Sequence, residues 1–306
     1  MNRRVYGLIG ISSLMANWNA DFTGRPKSTS KGDIYGSDKA LKYPMKVQWE
    51  SEGEKVLYLK SYKSTKGTVS PRSLSERYEY LFNEKVSKDN TVVLKNLFEC
   101  LDVMNFGATF AEEKSNFSIT GAVQIGQGFN LYNDTRVEVQ DILSPFRNSK
   151  NEDDKNATLG TKITSDEAHY CYPFTVNPNN YNNYKEIIEG FEGYTQSAYE
   201  KFKAAARISA SAFATNSKFG CDNEYAIFVE MKEYANTVLP ALNNFVDFTK
   251  EDGQNRLNLT RLMTFLSELE EVSNVEVYFN PALVSIDDNS LSLKYTTRHI
   301  VTGKDV

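Results

Sequence analysis

Apolar strand segments are scattered from residue 5 to residue 295, and helical stripes lie between them without a regular repeat. That order most restricts the fold. It suits an α+β sheet domain carrying large loop insertions, and it excludes a solenoid, a coiled-coil rod and a simple helical bundle. The strand segments are residues 5–11, 55–62, 117–125, 136–142, 170–176, 225–231, 275–279 and 291–295. In the first of them, Gly7 and Gly10 mark places where another backbone can come close. Ser73 and Glu76 form a capping box for a helix carrying Leu74, Tyr78, Leu81 and Phe82. Asp89-Asn90 opens a second helix with Val93, Leu97, Cys100 and Leu101, ending near Gly107. Residues 192–214 form a long helix, with Tyr199, Phe202, Ala206 and Phe213 on one side, and residues 260–269 a further one.

At 306 residues the chain is long enough to bury a core without staples, and we read it as a single domain, 1–306. Cys100, Cys171 and Cys221 are three widely spaced cysteines, which argues against a disulfide framework and for a reducing compartment. No run approaches the roughly 18 apolar residues of a spanning helix. Met1-Asn2-Arg3-Arg4 and the apolar stretch after it have the outline of a short secretory signal. Tyr6, Gly7, Gly10, Ser12 and Ser13 interrupt that stretch, so it reads as a first core strand and the protein as cytoplasmic.

Charge is unevenly placed. The formal net charge is −5, yet residues 1–72 hold 13 Lys/Arg against 6 Asp/Glu, and the remainder 22 against 34. A positive end on an acidic body suits a phosphate-binding face, or a lysine-rich solvated surface. Within that end, residues 17–36 are a loop rich in Asn, Gly, Ser and Lys. Ser37-Asp38-Lys39-Ala40-Leu41-Lys42 opens a helix whose extent depends on Pro44. Lys39, Lys42 and Lys46 share one face if the helix passes that proline.

Signals of catalysis are weak. There is no phosphate-binding glycine loop ending in Lys-Ser/Thr. Gly126-Gln127-Gly128 lacks the third glycine of a dinucleotide site and reads as a tight turn. His169 and Cys171 lie two apart with no second ligand pair, so neither zinc nor a cysteine nucleophile is expected. No metal or cofactor is expected. The run Glu152-Asp153-Asp154 reads as a solvated loop. Residues 144–168 form a protruding polar insertion in which Phe146 either wedges between bases or packs the insertion onto the body. The residue types before position 50 suit single-stranded RNA: Lys and Arg for phosphates, amides for sugars. Asn17, Asn19, Arg25, Lys27, Lys39, Lys42 and Lys46 are the candidates.

Three stretches resemble the backbone subunit of type I CRISPR surveillance complexes (Cascade), the RAMP-type "Cas-seven" family, and most of all its subtype I-B branch. They are Asn17-Trp18-Asn19-Ala20-Asp21-Phe22-Thr23-Gly24-Arg25-Pro26-Lys27 with Ser37-Asp38-Lys39-Ala40-Leu41-Lys42; Cys100-Leu101-Asp102-Val103-Met104-Asn105-Phe106-Gly107-Ala108-Thr109-Phe110; and Ser118-Ile119-Thr120-Gly121-Ala122-Val123-Gln124-Ile125-Gly126. The second departs at Met104-Asn105, where the family often has a basic residue. The resemblance implies a ferredoxin-like, RRM-type core sheet with a helical, finger-like insertion and a thumb-like β-hairpin, the insertions falling around 17–70 and 144–168. It implies a non-catalytic subunit that binds guide RNA (crRNA), stacks head to tail with copies of itself and with other Cascade subunits, and meets target DNA through the guide. It extends the RNA-binding set to Ser37, Gln127, Phe146 and Arg147.

Two other readings have distinct requirements. Related type III backbone subunits cleave target RNA with a metal ion and a loop aspartate, which would fall on Asp33 or Asp38. A secreted, aromatic-rich binding module would require cleavage of the N-terminus.

Overall fold

The computed structural model of the chain describes residues 1–112, 115–143, 159–289 and 293–306. The chain opens with the strand β1 (Val5–Ala16), followed by a loop that closes on itself through isolated bridges and the short β2 (Tyr35–Gly36). Helix α1 (Asp38–Ser51) comes next, capped by Ser37, whose hydroxyl accepts from the Ala40 N–H. Pro44 lies inside α1 and does not end it. A proline there removes one i→i−4 bond. The buried stripe Leu41, Met45 and Trp49 holds the helix to the core on both sides of the break.

The residues between α1 and position 62 form no ladder, contrary to the strand expected over 55–62. The reason is a buried carboxylate. Asp102 accepts the N–H groups of Leu57 and Tyr58, each at 2.8 Å, so these donors need no strand partner. A ribbon of β3 (Tyr62–Thr65) and β4 (Thr68–Pro71) follows, and then α2 (Leu74–Phe82) with the expected capping box: the Ser73 hydroxyl accepts from Glu76 N–H, and the Glu76 carboxylate accepts from Ser73 N–H at 2.9 Å.

The second expected helix is two. α3 (Asn90–Glu99), capped by Asp89, and α4 (Leu101–Phe106) meet at Cys100, whose backbone is extended. The strand expected over 117–125 is likewise divided: its first part belongs to β6 (Ser115–Thr120), which forms a hairpin with β5 (Gly107–Glu112), and its second part is a separate strand. β7 (Val123–Ile125) and β8 (Gly128–Asn130) then both pair with β10 (Leu159–Val176). Gly126-Gln127-Gly128 is therefore no reversal. Three residues face two on β10, a bulge placed opposite Pro173, which has no N–H to give the ladder.

β9 (Val137–Leu143) appears where expected and pairs with the first part of β10. The polar insertion expected over 144–168 is shorter, since β10 already runs from Leu159. Phe146, Arg147 and the acidic run 152–154 lie outside the described residues. After β10 come α5 (Asn182–Ile187) and α6 (Gln196–Ala212), which starts later than expected because Thr195 is its cap. β11 (Cys221–Met231), β12 (Asp247–Glu251), β13 (Gln254–Asn258), α7 (Thr260–Ser267), β14 (Val272–Phe279), β15 (Val284–Asp287) and β16 (Thr296–His299) complete the chain. Of the late strand expected over 291–295, residues 291 and 292 lie outside the described set, and 293–295 are not strand.

The main sheet runs β16-β14-β11-β1-β10-β8-β2, with β7 and β9 also on β10. β1 lies between β10 and β11, antiparallel to both. Both of its faces are covered. Val5, Ile9 and Ile11 join the core under α1 and α6, while Tyr6 and Leu8 join a second core under α7 and the small sheet β12-β13-β15. Burial on both faces explains the continuous apolar run that opens the sequence and why it is a core strand rather than a leader. The glycines permit close approach: a Cβ on Gly7 would lie 2.1 Å from the Ile227 backbone carbonyl oxygen and 2.3 Å from the Phe174 ring, and one on Gly10 2.2 Å from the Tyr225 ring. All three cysteines are buried and free. Among the described residues no helix is long and apolar enough to cross a membrane.

Candidate nucleic-acid interface

Because α1 continues past Pro44, Lys39, Lys42 and Lys46 lie along one face of it and line one groove of about 600 Å³. α4 and β5 supply the opposite wall through Phe106, Gly107 and Thr109, with Tyr58 and Asp102 between. The Lys42 ammonium is 3.0 Å from Asp38 and 5.1 Å from the centre of the Phe106 ring. Lys39 is fully open to solvent and only loosely paired with Asp38, at 3.8 Å.

Lys46 differs from both. Burial strips water from its ammonium and lowers its pKa; the Asp102 carboxylate opposes this and Lys42 adds to it. Asp102 is itself fully enclosed. Its pKa is raised by burial, against the two N–H groups it accepts and the pull of Lys46. The Tyr58 hydroxyl donates to the Thr109 carbonyl, tying the two walls together, and burial raises its pKa to about 12. Three ammonium groups thus face two carboxylates, one of them already spent on backbone. An anion entering the groove would meet under-hydrated positive charge, an aromatic face and exposed backbone, the requirements of a sugar–phosphate strand.

The other expected contact residues are dispersed around this groove. Ser37 is the α1 cap, and its N–H donates to Asn19 Oδ1 at 2.8 Å, so Asn19 braces the start of the lysine helix. Asn17 is buried, and its amide donates to the carbonyls of Gly24 at 2.9 Å and Ile163 at 3.1 Å, fastening the loop to β10. Lys27 lies over the Tyr35 ring at 5.8 Å, and that ring meets Phe129 at 5.9 Å. Gln127 is exposed beside Phe129 on β8. β2 ends one residue before Ser37, so this aromatic edge joins the lysine face directly. Arg25 is exposed, with its backbone N–H on the Asp21 carboxylate. Phe146 and Arg147 lie outside the described residues.

Sequence reasoning missed Tyr35, Tyr58, Phe106 and Phe129, and it did not give Asp102 a role. Only their long-range neighbours distinguish them from core residues. Of the loop aspartates, Asp33 accepts from the Thr29 hydroxyl at 3.2 Å and Asp38 is paired with Lys42. His169 and Cys171 do share a face, as period-two alternation requires, but Cys171 is sealed in the second core and His169 is held by Glu224 and Glu167.

Fold and groove together define an α+β sheet protein with an open, lysine-lined, aromatic-flanked cleft on one helix. The profile of the CRISPR-associated protein Cas7 family matches residues 3–264, and the chain belongs to that family. Its fold is similar to that of a chain in a CRISPR RNA-guided surveillance complex in a pre-nicking state, at 14% identity and TM-score 0.56, covering 94% of this chain and 96% of that one. A chain of another CRISPR RNA-guided surveillance complex aligns at 15% identity and TM-score 0.48, covering 92% and 95%. No curated protein sequence matches the chain.

Proposed function

We propose that this protein is a non-catalytic subunit that binds guide RNA and stacks head to tail along the guide's spacer, forming the backbone of a cytoplasmic CRISPR surveillance complex that pairs with target DNA. The observation that carries this reading is the groove on α1, where Lys39, Lys42 and Lys46 converge without enough carboxylate to balance them. Membership of the family supports it. The three sequence stretches favour the subtype I-B branch. A ferredoxin-like core is supported by the order β1, α1, β8, β10, α6, β11 along the chain and β11-β1-β10-β8 across the sheet. A thumb role for the β9–β10 hairpin is supported by the exposure of β9 along its whole length.

The lysines hold phosphates, the groove's aromatic and backbone wall accepts sugar and base, and the guide reads sequence by pairing. Expression with a guide-bearing CRISPR transcript is expected to yield a high 260/280 nm ratio, guide-length RNA and a mass far above 34.7 kDa. With about five phosphate contacts per subunit, log affinity is expected to fall with log salt at a slope of roughly −3.5. A slope near zero would remove the electrostatic basis of the reading. Matched RNA with Mg²⁺ is expected to stay intact; regular cuts lost in Asp33→Ala would instead favour the endonuclease.

A further inference from the structure

The ribbon β3–β4 leaves the body beside the groove. Tyr58, on the groove wall, lies two positions before Lys60, and residues 60–72 carry Lys60, Lys63, Lys66 and Arg72 with no Asp or Glu. Among the described residues the ribbon is a sheet of two strands, and no third strand pairs with either edge. A two-stranded ribbon of this kind is marginal by itself. It is rooted at its base: Arg72 N–H donates to the Ser61 carbonyl at 2.9 Å, the Arg72 guanidinium donates to the Tyr62 carbonyl, and Lys63 pairs with Glu76 of α2. The tip is open.

Thr65 pairs with Thr68, leaving Lys66-Gly67 as a two-residue turn with φ of +50° and +81°. This is the mirror-image turn that suits hairpin twist and normally takes Asn-Gly or Gly-Gly. Lysine adopts that conformation at a cost, so the sequence keeps an ammonium at the tip where a neutral residue would fold more easily. Among the described residues Lys60, Lys66 and Arg72 have no carboxylate partner. Lys60 instead lies 5.0 Å over the Tyr62 ring, and Arg72 4.2 Å over Tyr80, and both rings are about half exposed. Ser64, Thr65 and Thr68 add exposed hydroxyls. Cations, hydroxyls and open aromatic faces suit a phosphate backbone, and the strands also expose one aliphatic side chain, Val69. Strands of four residues give the ribbon a length of roughly 10 Å, that of about three stacked nucleotides of one strand.

We infer that the β3–β4 ribbon is a second phosphodiester-binding element, which takes the sugar–phosphate backbone of a nucleic-acid strand where it leaves the α1 groove. The inference rests on the RNA-binding reading of that groove. The strand is either the guide or the one paired to it, and the chemistry of contact is the same.

The test uses the assembled complex carrying Lys60→Gln and Lys66→Asn, which keep the ribbon's root and suit its turn. Salt dependence is measured in two arms: guide-length RNA binding to the protein, and a complementary DNA strand binding to the guide-loaded complex. Loss of two phosphate contacts is expected to make the log–log slope shallower by about 1.4 in the arm whose strand touches the ribbon, with the unfolding midpoint unchanged or raised. The arm that responds identifies the strand. Slopes unchanged in both arms, while Lys42→Ala makes the RNA arm shallower, would overturn the ribbon proposal and leave the groove intact. Unchanged slopes with loss of a copurifying subunit would overturn it in favour of a protein contact. A wild-type complex with no salt dependence would instead sink the groove reading, and the ribbon with it.

Discussion

Two charged clusters in this molecule each combine cations, carboxylates and an aromatic ring, and they have opposite characters. On α1, Lys39, Lys42 and Lys46 stand in an open groove beside Phe106, with Asp38 and the enclosed Asp102 as their carboxylates. On the far side of the sheet, His169 lies between Glu224 at 2.9 Å and Glu167 at 3.0 Å, stacked on Phe248 at 4.2 Å. Lys250 of β12 pairs with Glu167 at 2.6 Å, and Asn255 of β13 donates to Glu224 at 3.3 Å. Both imidazole nitrogens face carboxylates, so the ring must be an imidazolium to donate twice. This cluster is buried and balanced, and it fastens the small sheet to the large one. The groove is open and carries charge in excess. Balanced, buried charge leaves a ligand nothing to add; excess, half-hydrated charge gains when an anion arrives.

The sharpest way to break that contrast is His169→Leu. It leaves the Glu224 carboxylate, 1% exposed, without its cation, and is expected to cost about 3–5 kcal/mol in urea unfolding. The salt slope of RNA binding should not move; if it does, the cluster belongs to the interface. Asp102→Ala tests the groove for both stability and binding. It orphans the Leu57 and Tyr58 N–H groups, for about 2–4 kcal/mol of stability, and RNA affinity is expected to fall because the groove wall loosens. A variant that lost stability but bound RNA as before would show that the wall plays no part in binding.

Lys42→Ala is expected to leave stability nearly unchanged and to weaken RNA binding by about tenfold, with a slope shallower by about 0.7. All guide sequences should suffer alike, and a sequence-selective loss would contradict a phosphate contact. The smallest effects come from pH, and they differ in kind. Burial would lower the pKa of His169, but the bonds and charges of Glu224 and Glu167 outweigh it and raise the value above 6.5. Its stabilisation is therefore complete below that pH and lost as pH rises through the elevated value. Glu167 is half of this clamp and shows the reverse: burial raises its pKa, but Lys250 and His169 lower it below 4.5, so its contribution is present above 4.5 and lost as pH falls through the lowered value. In the groove, burial lowers the pKa of Lys46, so its charge is lost as pH rises through the lowered value and RNA binding weakens on the alkaline side. Denaturation of His169→Leu across pH should lack the first of these alkaline losses, while RNA binding by the same variant should keep the second.

Much of the sheet was legible because its strands are extreme. β1 and β11 are covered on both faces, and that produces apolar runs. The capping box at Ser73 was legible because its bonds join residues three apart. The ribbons β3–β4 and β12–β13 were not, since they are exposed, polar and paired only to neighbours or to a distant strand. Residues 55–62 alternate like a strand, yet Asp102, more than forty positions on, takes the N–H groups that a ladder would have used. Asn17 and Asn19 were expected from the sequence as RNA contacts, and in the fold both side chains bond within the protein. Their hydrogen bonds to Ile163 and to the cap of α1 could be seen only once the chain had closed.

The sequence by itself determined the central strands, the helix caps and the spacing that sets three lysines on one face of α1. Those properties arise within a few residues, from side-chain periodicity and short-range hydrogen bonds. Only the tertiary structure decided that α1 would run through Pro44, because the energy that holds it there comes from burying Leu41, Met45 and Trp49 against distant elements. It also decided which lysine would lose its water. Hydration depends on what packs nearby, and the wall that shields Lys46 comes from residues 102–109, some sixty positions along the chain.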